Sequence, residues 1–216
     1  FEDNSELELI EENAFNCSSV KSIIIPSHVT KIEKYAFYDC KKLKKVEVQP
    51  NSELRIIDSQ AFSSSSIETL IIPSSLEEIH ENWIGSKLIN IKIFPNKNQE
   101  NFIYFENKYV LTKSDLSSEN YDVLVLARRN IKTAVIPSFI TKIDHSAFYK
   151  CKSLKYVEFS KNSKLKIIGK YAFYNSSIVK FSIPSKVTLI NEGAFNSCEN
   201  LTIVEMPNDL LMKRIH

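Results

Sequence analysis

The dipeptide Ala-Phe returns along this chain at Ala14-Phe15, Ala36-Phe37, Ala61-Phe62, Ala147-Phe148, Ala172-Phe173 and Ala194-Phe195, with Trp83-Ile84 where another is due. Counted on the second residue, the steps are 22, 25 and 22, then 64, then 25 and 22. Self-similarity with a period in the twenties is the signature of a solenoid. Each repeat is too small to bury its own apolar face and must stack on its neighbours.

A second unit recurs in phase with the first. Strand-like alternation runs from Val20, Leu43, Ile67, Leu88, Ile131, Ile178 and Leu201, and each run closes on one of the seven prolines, Pro26, Pro50, Pro73, Pro95, Pro137, Pro184 and Pro207. Proline has no amide to give to a ladder, so it ends a strand and starts a turn. The run Leu154 to Phe159 is the exception, with Lys161 in the proline slot. After each strand comes a short apolar pair, such as Val29 and Ile32 or Leu165 and Ile168, and then Ala-Phe. The small Ala lets the backbones of adjacent coils approach, and the Phe rings are expected to stack into a spine. Residues 36–62 and 147–173 match at an offset of 111, the mark of a duplicated block.

The middle departs from this pattern. Two alternating runs flank Glu106-Asn107-Lys108, and a third, Tyr121 to Ala127, follows a polar stretch. This predicts one irregular coil carrying a projecting hairpin, about residues 96–130, within a single solenoid over residues 1–216. Residues 210–216 are expected to leave the register, and Phe1 falls partway through a repeat, as in a fragment or processed form.

Composition excludes several functions. A formal charge of +2 gives no general drive toward nucleic acid, and no apolar run reaches the length of a membrane span. Three glycines cannot supply a phosphate-cradling loop. Cys40, Cys151 and Cys198 stand three residues after a repeat Phe, the place of a buried corner, while Cys17 is out of phase. Coils repeat at about 4.8 Å, so Cys151 and Cys198, two coils apart, lie beyond disulfide reach, and four free thiols are expected. His28, His80, His145 and His216 share no phase, and no Cys/His ligand spacing occurs, so neither a catalytic triad nor a cofactor or metal site is expected. Ser63 to Ser66 reads as turn filler. Three N-glycosylation sequons begin at Asn16, Asn175 and Asn200.

The pattern Leu-x-x-Val-x-Val-(x)-Pro … Ile-x-x-x-Ala-Phe-x-x-Cys-x-x-Leu, as in residues 137–159, resembles the BspA-like leucine-rich repeats. The segment Tyr104 to Pro137 resembles their hairpin insertion, and Tyr121 to Arg129 the version found in trichomonad surface proteins. The resemblance implies a β-rich α/β solenoid, a right-handed horseshoe with a concave parallel sheet and short strands or helical turns on the convex side. It also implies a non-enzymatic, protein-binding adhesin, at the cell surface or secreted, whose ligands are proteins or glycans on host cells, matrix or other microbes. An intracellular, cytoplasmic scaffold is the alternative, and open solenoid ends allow an end-to-end dimer. The expected binding surface is the outward set of strand residues: Lys45, Glu47, Thr69, Ile71, Asn90, Lys92, Thr133, Val135, Tyr156, Glu158, Lys180 and Ser182. The lysine run Lys41, Lys42, Lys44 and Lys45, echoed by Lys150, Lys152 and Lys155, could add a basic stripe, or simply a solvated face.

Overall fold

In each repeat the alternating apolar residues before the proline form a long strand, and the apolar pair after it forms a short one. The computed structural model describes residues 5–95 and 100–207 and the backbone of Arg214 and Ile215. It divides into two compact units, Phe1–Asn107 and Lys108–His216.

The first unit is a β-solenoid with two parallel four-stranded sheets. The long strands are β2 (Ser22–Ile25), β4 (Lys45–Val48), β6 (Thr69–Pro73) and β8 (Asn90–Phe94). The short strands are β1 (Leu9–Ile10), β3 (Lys31–Ile32), β5 (Ile56–Ile57) and β7 (Glu78–Ile79). Beyond Pro95 the chain rejoins the ladder where Asn101 donates its amide to Ser74 O (2.8 Å), just ahead of β9 (Phe102–Phe105). The second unit repeats the plan. Its long strands are β12 (Thr133–Ile136), β14 (Tyr156–Phe159), β16 (Lys180–Ser182) and β18 (Ile203–Glu205). Its short strands are β13 (Lys142–Ile143), β15 (Ile167–Ile168), β17 (Leu189–Ile190) and β19 (Arg214–Ile215). The strands β10 (Tyr109–Thr112) and β11 (Val123–Ala127) precede them.

The Ala-Phe corner holds successive coils together. The Phe amide of one coil donates to the Ala carbonyl of the next: Phe15 to Ala36 O, Phe37 to Ala61 O, Phe148 to Ala172 O and Phe173 to Ala194 O, all at 2.7–2.8 Å. That ladder sets the ring spacing. Phe15, Phe37 and Phe62 stack at 5.0 and 5.1 Å, and Phe148, Phe173 and Phe195 at 4.8 and 5.3 Å, with planes within 6° of parallel. These separations are those of neighbouring strands. Trp83 and Ile84 keep the corner without a phenylalanine: Phe62 donates to Trp83 O at 2.7 Å, and both residues are buried.

Two expectations need correction. No helix forms among the described residues, so the α/β and helical-turn description does not hold. The reason lies in the corner itself. Residues on either side of Ala-Phe take left-handed backbone, among them Tyr35 (φ 59°) and Asp39 (φ 55°) in one coil and Ser146 (φ 56°) and Lys150 (φ 55°) in another. Each such non-glycine residue costs roughly 1–2 kcal/mol and stops a right-handed helix. Their amides bond sideways instead, Asp39 to Ser63 O (3.0 Å) and Lys150 to Tyr174 O (2.8 Å). The second correction concerns residues 210–216. The backbone of β19 stays in the register, pairing Leu189 with Arg214 and Ile190 with Ile215. Leu210 to Lys213 and His216 lie outside the described residues.

The part of the irregular coil that opens the second unit departs from the ordinary repeat. β10 and β11 pair antiparallel, with a register shift between Val110 and Leu111. β11 is buried on both faces and lies parallel to β13. Ala127 takes the corner position, donating its amide to Ala147 O (3.0 Å), but brings no ring. Tyr109, fully buried, supplies one, edge-on to Phe148 at 6.4 Å, with its hydroxyl donating to Val135 O. Arg129 is buried as well, and its Nη1 donates to Ala147 O (2.8 Å) and Ala127 O (3.2 Å). Carbonyls thus hold a charge that would be costly to bury unbonded.

Phe148 touches both kinds of ring, stacked and edge-on, at zero exposure. Phe148→Ala should lower stability by about 3–5 kcal/mol, and Lys150→Gly, which relieves a left-handed residue, should raise it by roughly 1 kcal/mol. Urea unfolding of the two variants beside the parent measures both changes.

Candidate functional site

Alternation within the long strands points every second side chain away from the core. In the first unit this face carries Lys45, Glu47, Thr69, Ile71, Asn90 and Lys92, none of them buried. Register aligns Lys45 with Thr69 and Asn90, and Ile71 with Lys92. In the second unit Thr133, Tyr156 and Lys180 form one row, and Val135 and Glu158 lie beside it with Ser182 on the next strand. None of these six is buried. Six of the twelve residues therefore lie on each unit.

Four further residues belong to these rows. Ser22 and Ile24 pair with Lys45 and Glu47, and Ile203 and Glu205 pair with Lys180 and Ser182. The proline-anchored phase that identifies the other strands identifies these too. Ile24 is 53% exposed and Ile203 49%, among the more exposed large apolar side chains of the described residues, with Tyr156 at 55%. In the first unit Ile24, Glu47, Ile71 and Phe94 help line a shallow hollow of about 520 Å³.

Most charges on these faces are already paired. Lys45 Nζ lies 2.7 Å from Glu47 Oε2, and Lys44 Nζ lies 3.2 Å from Glu68 Oε1. Lys41 pairs with Asp39. Three of the four lysines in the run Lys41, Lys42, Lys44 and Lys45 are therefore neutralised by their own neighbours. On the second face Lys180 Nζ stands 2.6 Å from Glu205 Oε1, and the Ser182 hydroxyl donates to Glu205 Oε2. Hydrogen bonds from Lys180 and Ser182 hold the Glu205 carboxyl below the usual carboxylate range. Beside this cluster the face exposes apolar surface at Val135, Tyr156 and Ile203.

The other sequence candidates are structural. Cys40 and Cys198 donate to the Phe15 and Phe173 carbonyls of the preceding coil, at 3.1 and 3.0 Å. Burial pushes the Cys151 thiol up despite Arg129 beside it. Cys17 is exposed in a left-handed turn position, and all four thiols are free. Within Ser63 to Ser66, Ser65 takes the cysteine slot, its hydroxyl donating to Phe62 O. His28 sits near Glu53, His80 bridges Asp58 and Glu78, and His145 lies beside Asp144. They do not converge, and no group of three or more His, Cys, Asp or Glu fit to hold a metal occurs among the described residues.

Two parallel sheets joined by proline turns and an aromatic corner define a leucine-rich repeat solenoid. The sequence matches the BspA type leucine-rich repeat region in six copies over residues 8–124 and 125–215, and the chain belongs to that family. It is similar in fold to the pneumococcal vaccine antigen PcpA (21% identity over 97% of this chain and 56% of that one, TM-score 0.75). A leucine-rich repeat protein from Eubacterium ventriosum is similar too (23%, 94% and 58%, TM-score 0.67). So is a leucine rich cell surface protein from Faecalibacterium prausnitzii (20%, 94% and 65%, TM-score 0.56). The chain thus spans between 56% and 65% of the length of these structures. No curated protein matches the sequence. The family is one of repeat scaffolds, and no helix of the described residues is long and apolar enough to cross a membrane.

Asp144, largely buried on the flank of the short-strand sheet, reports on acid stability. Burial alone would raise its pKa, but the hydrogen bond and charge of His145 and the Lys142 ammonium (2.7 Å) outweigh it and hold the carboxyl far below the usual range. A depressed folded pKa contributes stability that is complete above the unfolded value, about pH 4, and is lost as pH falls toward the folded one. Acid unfolding followed by circular dichroism should show Asp144→Asn less stable at pH 7, with the difference shrinking below pH 4.

Proposed function

We propose that this chain is a non-enzymatic binding domain of a cell-surface or secreted protein, an adhesin that grips a protein ligand on host cells or matrix through its long-strand faces. Solenoids of this kind present their outward strand residues as an extended surface, taken here as the concave wall. One observation carries the reading: in the second unit Tyr156 and Ile203 stand in one row on either side of Lys180, with Val135 in the neighbouring row, and all three expose apolar surface beside a Lys180–Glu205–Ser182 cluster already satisfied internally. Exposed aromatic and aliphatic side chains rimmed by satisfied polar groups are what protein interfaces are built on. Surface placement draws on the name of the Faecalibacterium structure, a leucine rich cell surface protein. The trichomonad likeness rests on the run Tyr121 to Arg129 alone.

Hot-spot residues of such interfaces are enriched in tyrosine, and truncating one costs on the order of 2 kcal/mol. Tyr156→Ala should therefore weaken binding to host cells or immobilised matrix proteins by roughly 30-fold, and Lys45→Glu should weaken it if the first unit also engages. Titration of the labelled chain against each surface measures both. Undiminished binding by the two variants would remove the long-strand faces as the site.

A further inference from the structure

The near-neutral balance of the whole chain conceals two opposite halves. Residues 1–107 carry 17 Asp and Glu against 11 Lys and Arg, a formal −6, and residues 108–216 carry 9 against 17, a formal +8. The 111-residue offset shows where part of the difference lies. Glu53 corresponds to Lys164, Arg55 to Lys166, Ser75 to Lys186 and Glu77 to Thr188. In the first unit the basic side chains of this edge have acidic neighbours: Arg55 Nη1 is 2.8 Å from Glu77 Oε1, and His28 Nδ1 is 3.4 Å from Glu53 Oε1. In the second unit a threonine and a lysine replace those two carboxylates. Lys164, Lys166 and Lys186 are all exposed, and no ion pair engages them among the described residues.

The coil ladder sets these lysines side by side. Lys166 donates its amide to Thr141 O (2.8 Å) and accepts the Thr188 amide (2.9 Å), while Lys164 donates to Ser138 O (2.9 Å). Lys164 and Lys166 therefore share one coil, and Lys186 lies on the next, about 4.8 Å away. Thr141 and Thr188 flank Lys166. Phe139, 40% exposed, occupies the position that His28 holds beside Glu53 in the first unit. Like charges at this spacing repel, and a bound polyanion relieves that repulsion.

We propose that this edge of the second unit, Lys164, Lys166 and Lys186 beside Phe139, is a binding site for a sulfated or carboxylated polysaccharide. Compact ammonium groups at coil spacing suit anions repeated along a linear chain, and none offers the planar fork that arginine uses for bidentate pairing with a single carboxylate or phosphate. The Phe139 ring gives a flat apolar surface for the C–H face of a sugar. The site lies on the short-strand flank and goes beyond the long-strand reading, so Tyr156→Ala should leave it intact.

Chromatography of the intact chain on immobilised heparin, with desulfated heparin and dextran as controls, tests the assignment. The chain should be retained on heparin alone and released as salt screens the charges. K164E/K166E/K186E should weaken affinity by roughly tenfold or more, since three attractions become repulsions. F139A should weaken it with little change in salt dependence, and K41E/K44E in the first unit should leave it unchanged. Retention of the triple variant at the parent's elution salt would overturn the proposal. So would sedimentation showing that the triple substitution abolishes self-association while heparin retention is unchanged, since the acidic half of a second copy would then be the occupant.

Discussion

The amide of each corner phenylalanine bonds to the carbonyl of the alanine one coil further on, and much of the architecture depends on that single lateral contact. It forces the two backbones to within strand distance, which only a residue as small as alanine permits. Phenylalanine rings on adjacent coils are then held face to face at nearly the same spacing. It also keeps non-glycine residues in left-handed turns that would otherwise relax, because their own amides bond sideways in the same ladder. With three glycines in 216 residues, the chain can build so many such turns only where the neighbouring coil holds them.

The irregular coil shows how far the contact can be bent. Ala127 keeps the amide-to-carbonyl bond after losing the ring, Tyr109 returns a ring from a different strand, and Arg129 caps the carbonyls at the corner. On the Phe148 side the corner hydrogen bond survives this change of sequence. β11 could then join the short-strand sheet as an ordinary neighbour of β13.

A solenoid separates the residues that hold it together from those that can diverge. Matched corners of the two units are nearly identical, Ala36-Phe37 against Ala147-Phe148 and Ala61-Phe62 against Ala172-Phe173. The flanks carry charges that changed sign or vanished, as Glu53 against Lys164 and Glu77 against Thr188. Inward side chains are constrained by packing volume, whereas exposed ones are screened by water and cost little to change. Duplication followed by surface divergence gives two units of one fold with opposite electrostatic character.

Period, strand phase, the stacked spine, the family and the outward residues were all legible in the sequence, because each depends on side-chain type at a fixed distance along the chain. Lys45 could be placed by counting from a proline, and Tyr156, whose strand lacks one, by the 111-residue offset from Lys45. Ile24 and Ile203 were open to the same count. Other features depended on which coil lies against which. The ring of Tyr109 beside Phe148, the buried Arg129, the absence of helix in the corners and the pairing of Lys44 with Glu68 all arise between residues 20 or more apart, or from lateral hydrogen bonds that local propensity does not contain. Whether a lysine is neutralised or left free is likewise settled by the residue on the next coil, and only the stacked structure brings that residue alongside.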